Sequence, residues 1–160
     1  MDHKQASFNF AISHIFMFEG GYVNDPLDKG GETKYGISKR QYPHLDIKNL
    51  TKEDAGKIYY RDYFEKIYNK NRSIWFNAYM FEGSILHPAV IRNFIKDRPI
   101  ADPYSLEEYR QIMDLCKVRL RHYRNIVERN FSQIRFLYGW CSRALWIFIE
   151  IEKQRHDNYL

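Results

Sequence analysis

Glu19, Asp25, Asp28 and Thr33 are the residues whose types and spacing could do chemistry together. Glu19 closes an apolar helical pattern, Gly20 and Gly21 follow at once, and the two aspartates and the threonine fall within the next turn-rich stretch. Cleavage of a glycosidic bond asks for one carboxyl group that gives a proton to the leaving oxygen. Usually a second carboxylate activates water or attacks carbon from the opposite face of the sugar. Glu19, at the core-facing edge of a last helical turn, suits the acid. Asp28 suits the base, and Thr33 could hold the attacking water through its hydroxyl. Asp25 is the alternative base, or a residue that only sets the turn before Pro26. The same stretch also fits a surface loop capping a helix, with Glu19 a terminal acid that has no chemical task.

Several elements must place these side chains. A helix is predicted from Ser7, with Ser7 as cap and Phe8, Ala11, Ile12, Ile15, Phe16 and Glu19 on one side. Gly20 and Gly21 end it. Tyr22 to Ser38 is too rich in Gly, Asp, Asn and Pro for a helix and suits a small hairpin that folds back beside Glu19. Thr51 and Asp54 form a capping pair for a second helix carrying Ala55, Ile58, Tyr59, Tyr63 and Ile67. Trp75 to Phe81 and Pro88 to Ile95 read as short helices, Pro88 in a first turn. Asp97 to Pro103 is a break. Ser105 and Glu108 open a longer helix, and another runs from about Phe131 to Lys153 with Leu137, Cys141, Ala144, Leu145, Phe148 and Ile151 inward. The fold class is therefore mainly α, an α+β arrangement with one small hairpin beside the helix that ends at Glu19. Residues 1–72 form an N-terminal lobe of helix, hairpin and helix, and residues 73–160 a C-terminal helical lobe packed as one unit.

A chain of 160 residues can bury roughly two thirds of its unfolded surface. Thirteen Tyr, eleven Phe and three Trp supply core, and the same rings suit the walls of a sugar cleft. The formal charge of +5 fits an anionic partner without choosing among glycan, lipid surface and nucleic acid. Seven basic and two acidic residues between Arg110 and Arg135 read as a solvated helix face or as a surface for such a partner. Cys116 and Cys141 sit in apolar helical patterns as core thiols, without a CxxC motif. The six His residues are scattered without metal-ligand spacing, so neither metal nor cofactor is expected. Phe8 to Phe18 falls short of the ~20 residues of a membrane span. With no basic n-region and cleavage site, the expectation is a cytoplasmic product that would need a holin or export apparatus to leave the cell, without stable membrane insertion or nucleic acid as partner.

The run Glu19-Gly20-Gly21-Tyr22, then Asp25-Pro26, Asp28, Gly30-Gly31, Thr33 and Tyr35-Gly36-Ile37 closely resembles the signature of glycoside hydrolase family 108. The resemblance implies an N-acetylmuramidase of phage endolysin or prophage lysozyme type, acting on peptidoglycan glycan strands, with the catalytic glutamate at Glu19. The order of glutamate, aspartate and threonine is also similar to that of phage-type lysozymes, which favours Asp28 and Thr33 over Asp25. Tyr22, Asp25, Tyr35 and Trp140 are candidate substrate-binding residues, with packing as the competing use of the rings. The resemblance extends through Ala55, Ile58-Tyr59 and Tyr63. Phe76 to Ser84 is similar to a family segment that usually has aspartate at Asn77 and asparagine at Phe81, and Asp97 to Ala101 replaces a glycine-bearing run. Arg121, Tyr123, Phe136 to Trp140 and Arg143 resemble the family's C-terminal peptidoglycan-binding part. A lytic transglycosylase, a non-catalytic wall-binding or phage structural protein, and a basic nucleic-acid binder are the competing functions.

Overall fold

A computed structural model describes residues 2–24, 31–96 and 98–157. The described elements are α1 (His3–Phe18), β1 (Thr33–Lys34), β2 (Ile37–Ser38), α2 (Lys52–Tyr59), a π turn (Tyr60–Phe64), α3 (Ile74–Leu86), α4 (Pro88–Ile95), α5 (Leu106–Arg129), a 3-10 turn (Phe131–Gln133) and α6 (Ile134–Asp157). The fold is mainly helical with one small antiparallel hairpin, as the patterning predicts. It forms two compact units, Ile12–Lys66 and Met1–Ala11 with Ile67–Leu160.

α1 starts four residues before Ser7, so Ser7 is not its cap. The Ser7 hydroxyl instead donates to the His3 carbonyl at 2.9 Å, which satisfies a buried serine inside the helix. In the Ile12–Lys66 unit, Ile15, Ile37, Ile47, Ala55, Tyr59 and Phe64 make the core. The Thr51–Asp54 pair caps α2 as expected, with Thr51 Oγ1 accepting from the Asp54 N–H at 3.1 Å. The turn Tyr60–Phe64 carries one extra residue and interrupts the α period. Across it the Tyr42 hydroxyl donates to Asp62 Oδ2 at 2.9 Å. The bidentate Arg61 contact and then this phenol outweigh burial and hold the Asp62 carboxyl down to about 2.

In the other unit α3 runs past the predicted Phe81 to Leu86, and in that extension Gly83 lets neighbours close on its bare face: an added Cβ would stand 2.6 Å from Ile91 Cδ1 and 3.3 Å from Arg119 Cζ. Phe81 is fully buried and stacks on Phe8 at 5.6 Å. Asn77 ties down the start of α3: its Oδ1 accepts from the Asn69 N–H (2.9 Å) and its Nδ2 donates to the carbonyls of Asn69, Arg72 and Ser73. Pro88 opens α4. Ser105 caps α5 by accepting from the Glu108 N–H at 3.1 Å. The Glu108 carboxylate, rather than closing the box, accepts from the backbone N–H of Tyr104 (2.8 Å) and of Ser73 (2.9 Å), the cap of α3.

α6 is rotated from the predicted facing. Ala144 and Ile151 are buried as expected, but so are Arg143 and Ile147, while Leu145 is 40% exposed. The cause is Glu82 on α3, fully buried, which accepts from Arg143 Nε at 2.9 Å and from Arg119 Nη2. Burial opposes the Glu82 charge, and the two guanidiniums, Arg119 first, outweigh it and hold the carboxyl below its ordinary range. Turning Arg143 to this carboxylate turns Leu145 to water. Cys116 and Cys141 are free thiols, the first buried and the second half-buried.

Candidate active site

The Ile12–Lys66 unit brings the first glutamate, the hairpin and α2 together. Glu19 continues α1 by one turn bond, its N–H donating to the Ile15 carbonyl at 3.1 Å. The chain then reverses. Val23 and Thr33 exchange two backbone bonds of 2.8 Å, and the Tyr35 N–H donates to the Gly20 carbonyl at 3.0 Å, which fastens the hairpin to the helix end. β1 and β2 pair Thr33 with Ser38 and Lys34 with Ile37. The two residues between the strands, Tyr35 (φ 51°) and Gly36 (φ 75°), are both left-handed, as in a type I′ turn.

A left-handed tyrosine costs about 1 kcal/mol. It is held by three contacts: the N–H bond to Gly20, a bond of 3.1 Å from the Tyr59 hydroxyl to the Tyr35 carbonyl, and an edge-on contact of 6.0 Å between the rings of Phe16 and Tyr35. The result is that bare Gly36 faces the glutamate. A Cβ added to Gly36 would stand 2.7 Å from Glu19 Oε2 and 2.8 Å from Glu19 Cδ, and would collide with the Tyr59 hydroxyl oxygen. Glu19 is half-buried and Tyr59 buried.

Thr33 is half-buried on β1, with its hydroxyl donating to the Gly31 carbonyl at 3.3 Å. Tyr22 lies at the surface and donates to Glu32 Oε1 at 2.9 Å, and this bond, with burial adding little, pushes its phenol up. Asp25 and Asp28 lie outside the described residues. Trp140 belongs to the other unit, where its ring meets Phe136 (5.8 Å), Tyr123 (5.7 Å) and His87 (5.9 Å). Among the described residues no group of three or more His, Cys, Asp or Glu side chains is placed to hold a metal ion. The sequence places Tyr59 on an amphipathic helix and Gly36 in the glycine-bearing run after Glu19, without bringing the two to one carboxyl. The spacing of Tyr59 on an amphipathic helix marks it as core and says nothing of the carboxyl beside it.

The segment that holds this arrangement is also the one that matches a known family. The model of the family described as Glycosyl hydrolase 108 matches residues 12–85. The matched stretch, a little under half of the chain, resembles that family. The match supports a glycoside hydrolase of the peptidoglycan-degrading, lysozyme-like kind that acts on the cell wall. The whole chain is similar in fold to a solved structure of Brucella abortus SagA: 98% of this chain and 99% of that chain superpose with a TM-score of 0.70 at 22% identity, a likeness of fold that extends beyond the glycosyl hydrolase 108 region. No curated protein matches the chain. Among the described residues no helix is long and apolar enough to cross a membrane.

Proposed function

We propose that the protein is an N-acetylmuramidase of lysozyme type that hydrolyses the β-1,4 bond between N-acetylmuramic acid and N-acetylglucosamine, with Glu19 as general acid. The observation that carries this is the seat of the Glu19 carboxyl at the end of α1, against the bare backbone of Gly36 in a strained turn. A left-handed tyrosine is retained only where its surroundings enforce it, and here what it secures is one carboxyl group. Glu19 gives its proton to the leaving oxygen as the glycosidic bond breaks, Asp28 takes a proton from water, and Thr33 orients that water. Tyr22 and Tyr35 border the sugar.

Digestion of purified sacculi tests the reading. The enzyme releases soluble fragments with free muramic acid reducing ends, and Glu19→Gln releases none. Full activity in Glu19→Gln removes Glu19 from the reaction. 1,6-Anhydromuramyl ends, together with a normal Asp28→Asn enzyme, identify a lytic transglycosylase instead. Loss of turbidity from whole cells would mark a bacteriolytic, endolysin-like use.

The Ile67–Leu160 part is proposed to hold the wall polymer. A groove of about 490 Å³ lies between α4 and α5, lined by Val90, Phe94 and Val118 together with Arg98, Arg121 and Asn125, and guanidiniums among apolar walls suit an anionic polymer with carbon-rich faces. Arg121→Glu lowers the retention of the Glu19→Gln protein on sacculi; unchanged retention removes the groove from binding.

A further inference from the structure

We propose that Tyr59 positions Glu19, through the acceptor side of its hydroxyl, and that residue 36 must be glycine so that the two can meet. This rests on Glu19 being the acid of the reaction proposed above.

The Tyr59 hydroxyl proton is committed to a backbone carbonyl. Tyr59 is 1% exposed, and its O–H donates to the Tyr35 carbonyl at 3.1 Å. A phenol has one proton to give, so the rest of its capacity at that oxygen is as an acceptor. The second observation is a shared point in space. The Tyr59 oxygen and Glu19 Oε2 both crowd the place where a side chain on Gly36 would begin. The phenol oxygen and the carboxyl are therefore neighbours on one face of the turn. A neutral carboxyl can donate to an oxygen whose own proton is engaged elsewhere; a carboxylate, having only lone pairs, cannot. The contact thus fixes the rotamer and plane of the carboxyl, which the proton leaves once the phenol oxygen is released.

The third observation is how firmly the ring is held. Tyr59 ends α2 and leads into the π turn Tyr60–Phe64. Its ring meets Tyr63 at 5.7 Å, and Phe16 edge-on at 6.1 Å. Phe16 stands on α1 one turn before Glu19, so the helix that carries the acid also steadies the phenol. Single π turns are frequent where a helix must aim one side chain at a functional site. Removing the oxygen leaves these ring contacts in place.

Tyr59→Phe is the direct test, with kcat and KM measured on soluble peptidoglycan fragments well below the thermal midpoint. Loss of one orienting bond to the acid is expected to lower kcat about tenfold and leave KM within about twofold. A tyrosine with a purely structural role would lower the thermal midpoint and leave the kcat of folded protein unchanged, and that result overturns the proposal. Should Tyr59→Phe fail to fold, 3,5-difluorotyrosine at position 59 keeps the ring and the O–H while weakening the oxygen as an acceptor; a several-fold lower kcat supports the proposal and an unchanged one overturns it. Gly36→Ala is expected to abolish turnover, and an active Gly36→Ala enzyme also overturns it. If Glu19→Gln is inactive while Tyr59→Phe is fully active, only the positioning role falls. If Glu19→Gln is active, the acid assignment falls as well.

Discussion

Glu82 lies wholly buried among α3, α5 and α6 with a guanidinium on each carboxylate oxygen, whereas Glu19 lies half-buried at the end of α1 against a glycine and beside a phenol. The first arrangement makes a permanent anion. Taking a carboxylate out of water is tolerable only with close cationic partners, and with two of them the charge becomes part of the framework. The Glu19 carboxyl instead meets the bare backbone of Gly36 and lies beside the Tyr59 phenol oxygen, where the proposed reaction would use it. Two glutamates, one inside α3 and one just past the end of α1, thus sit in opposite surroundings, and the proposed function assigns the second to the reaction.

The largest expected effect tests the reactive side of this comparison. Glu19→Gln should cost at least about three orders of magnitude in fragment release, while its thermal midpoint stays close to that of the parent. A large loss of stability in Glu19→Gln would make Glu19 framework too. Glu82→Ala probes the other side. It leaves the charges of Arg119 and Arg143 buried without their carboxylate and should destabilise by about 3–5 kcal/mol, read by chemical denaturation. A change below about 1 kcal/mol would mean that the pair contributes little beyond packing.

Next in size is a pH effect near the same helices. His87, at the corner of α3 and α4, is pushed down to about 4, first by burial and then by the charges of His122, Arg119 and Arg143, with Glu82 opposing. Its ring faces His122, Tyr123 and Trp140. A depressed folded value means that the unfolded chain takes the proton first as the pH falls. The stability associated with neutral His87 is complete above pH 6.5 and is lost between there and about pH 4. The loss should be about 2 kcal/mol for a group that keeps some exposure, and His87→Phe should flatten it in denaturation at pH 7 and pH 4.5. The smallest effect expected is at Thr51→Ala, about 1 kcal/mol from the lost cap of α2. It should leave kcat unchanged.

Local signals made much of the fold legible in the sequence. The caps at Thr51 and Ser105, the proline opening α4 and the glycines after Glu19 act through the residues next to them, so the pattern carries them. Three features could not be read that way. The Tyr35-Gly36 turn lacks the usual Asn-Gly or Asp-Gly pair and exists because Gly20, Phe16 and Tyr59 hold Tyr35 in place. The π turn after Tyr59 leaves no mark on the spacing of apolar residues. The facing of α6 is decided by an ion pair between residues sixty-one apart, where apolar periodicity alone favours Leu145 over Arg143. At the candidate site, the position of Glu19 at a helix end was readable from its glycines. The phenol beside it was not, since only the folded hairpin puts the two on the same glycine.

The Glu108 carboxylate reaches the cap of α3 at Ser73, and Arg119 on the same helix reaches Glu82 further along α3. The two attachments are nine residues apart on α3, or about 13 Å at the helical rise. A bar fastened at one bolt can swivel, but fastened at two it can neither turn nor slide. Losing either bolt should therefore leave α3 in place yet free to pivot, and amide exchange along α3 would register that looseness before the unit unfolds.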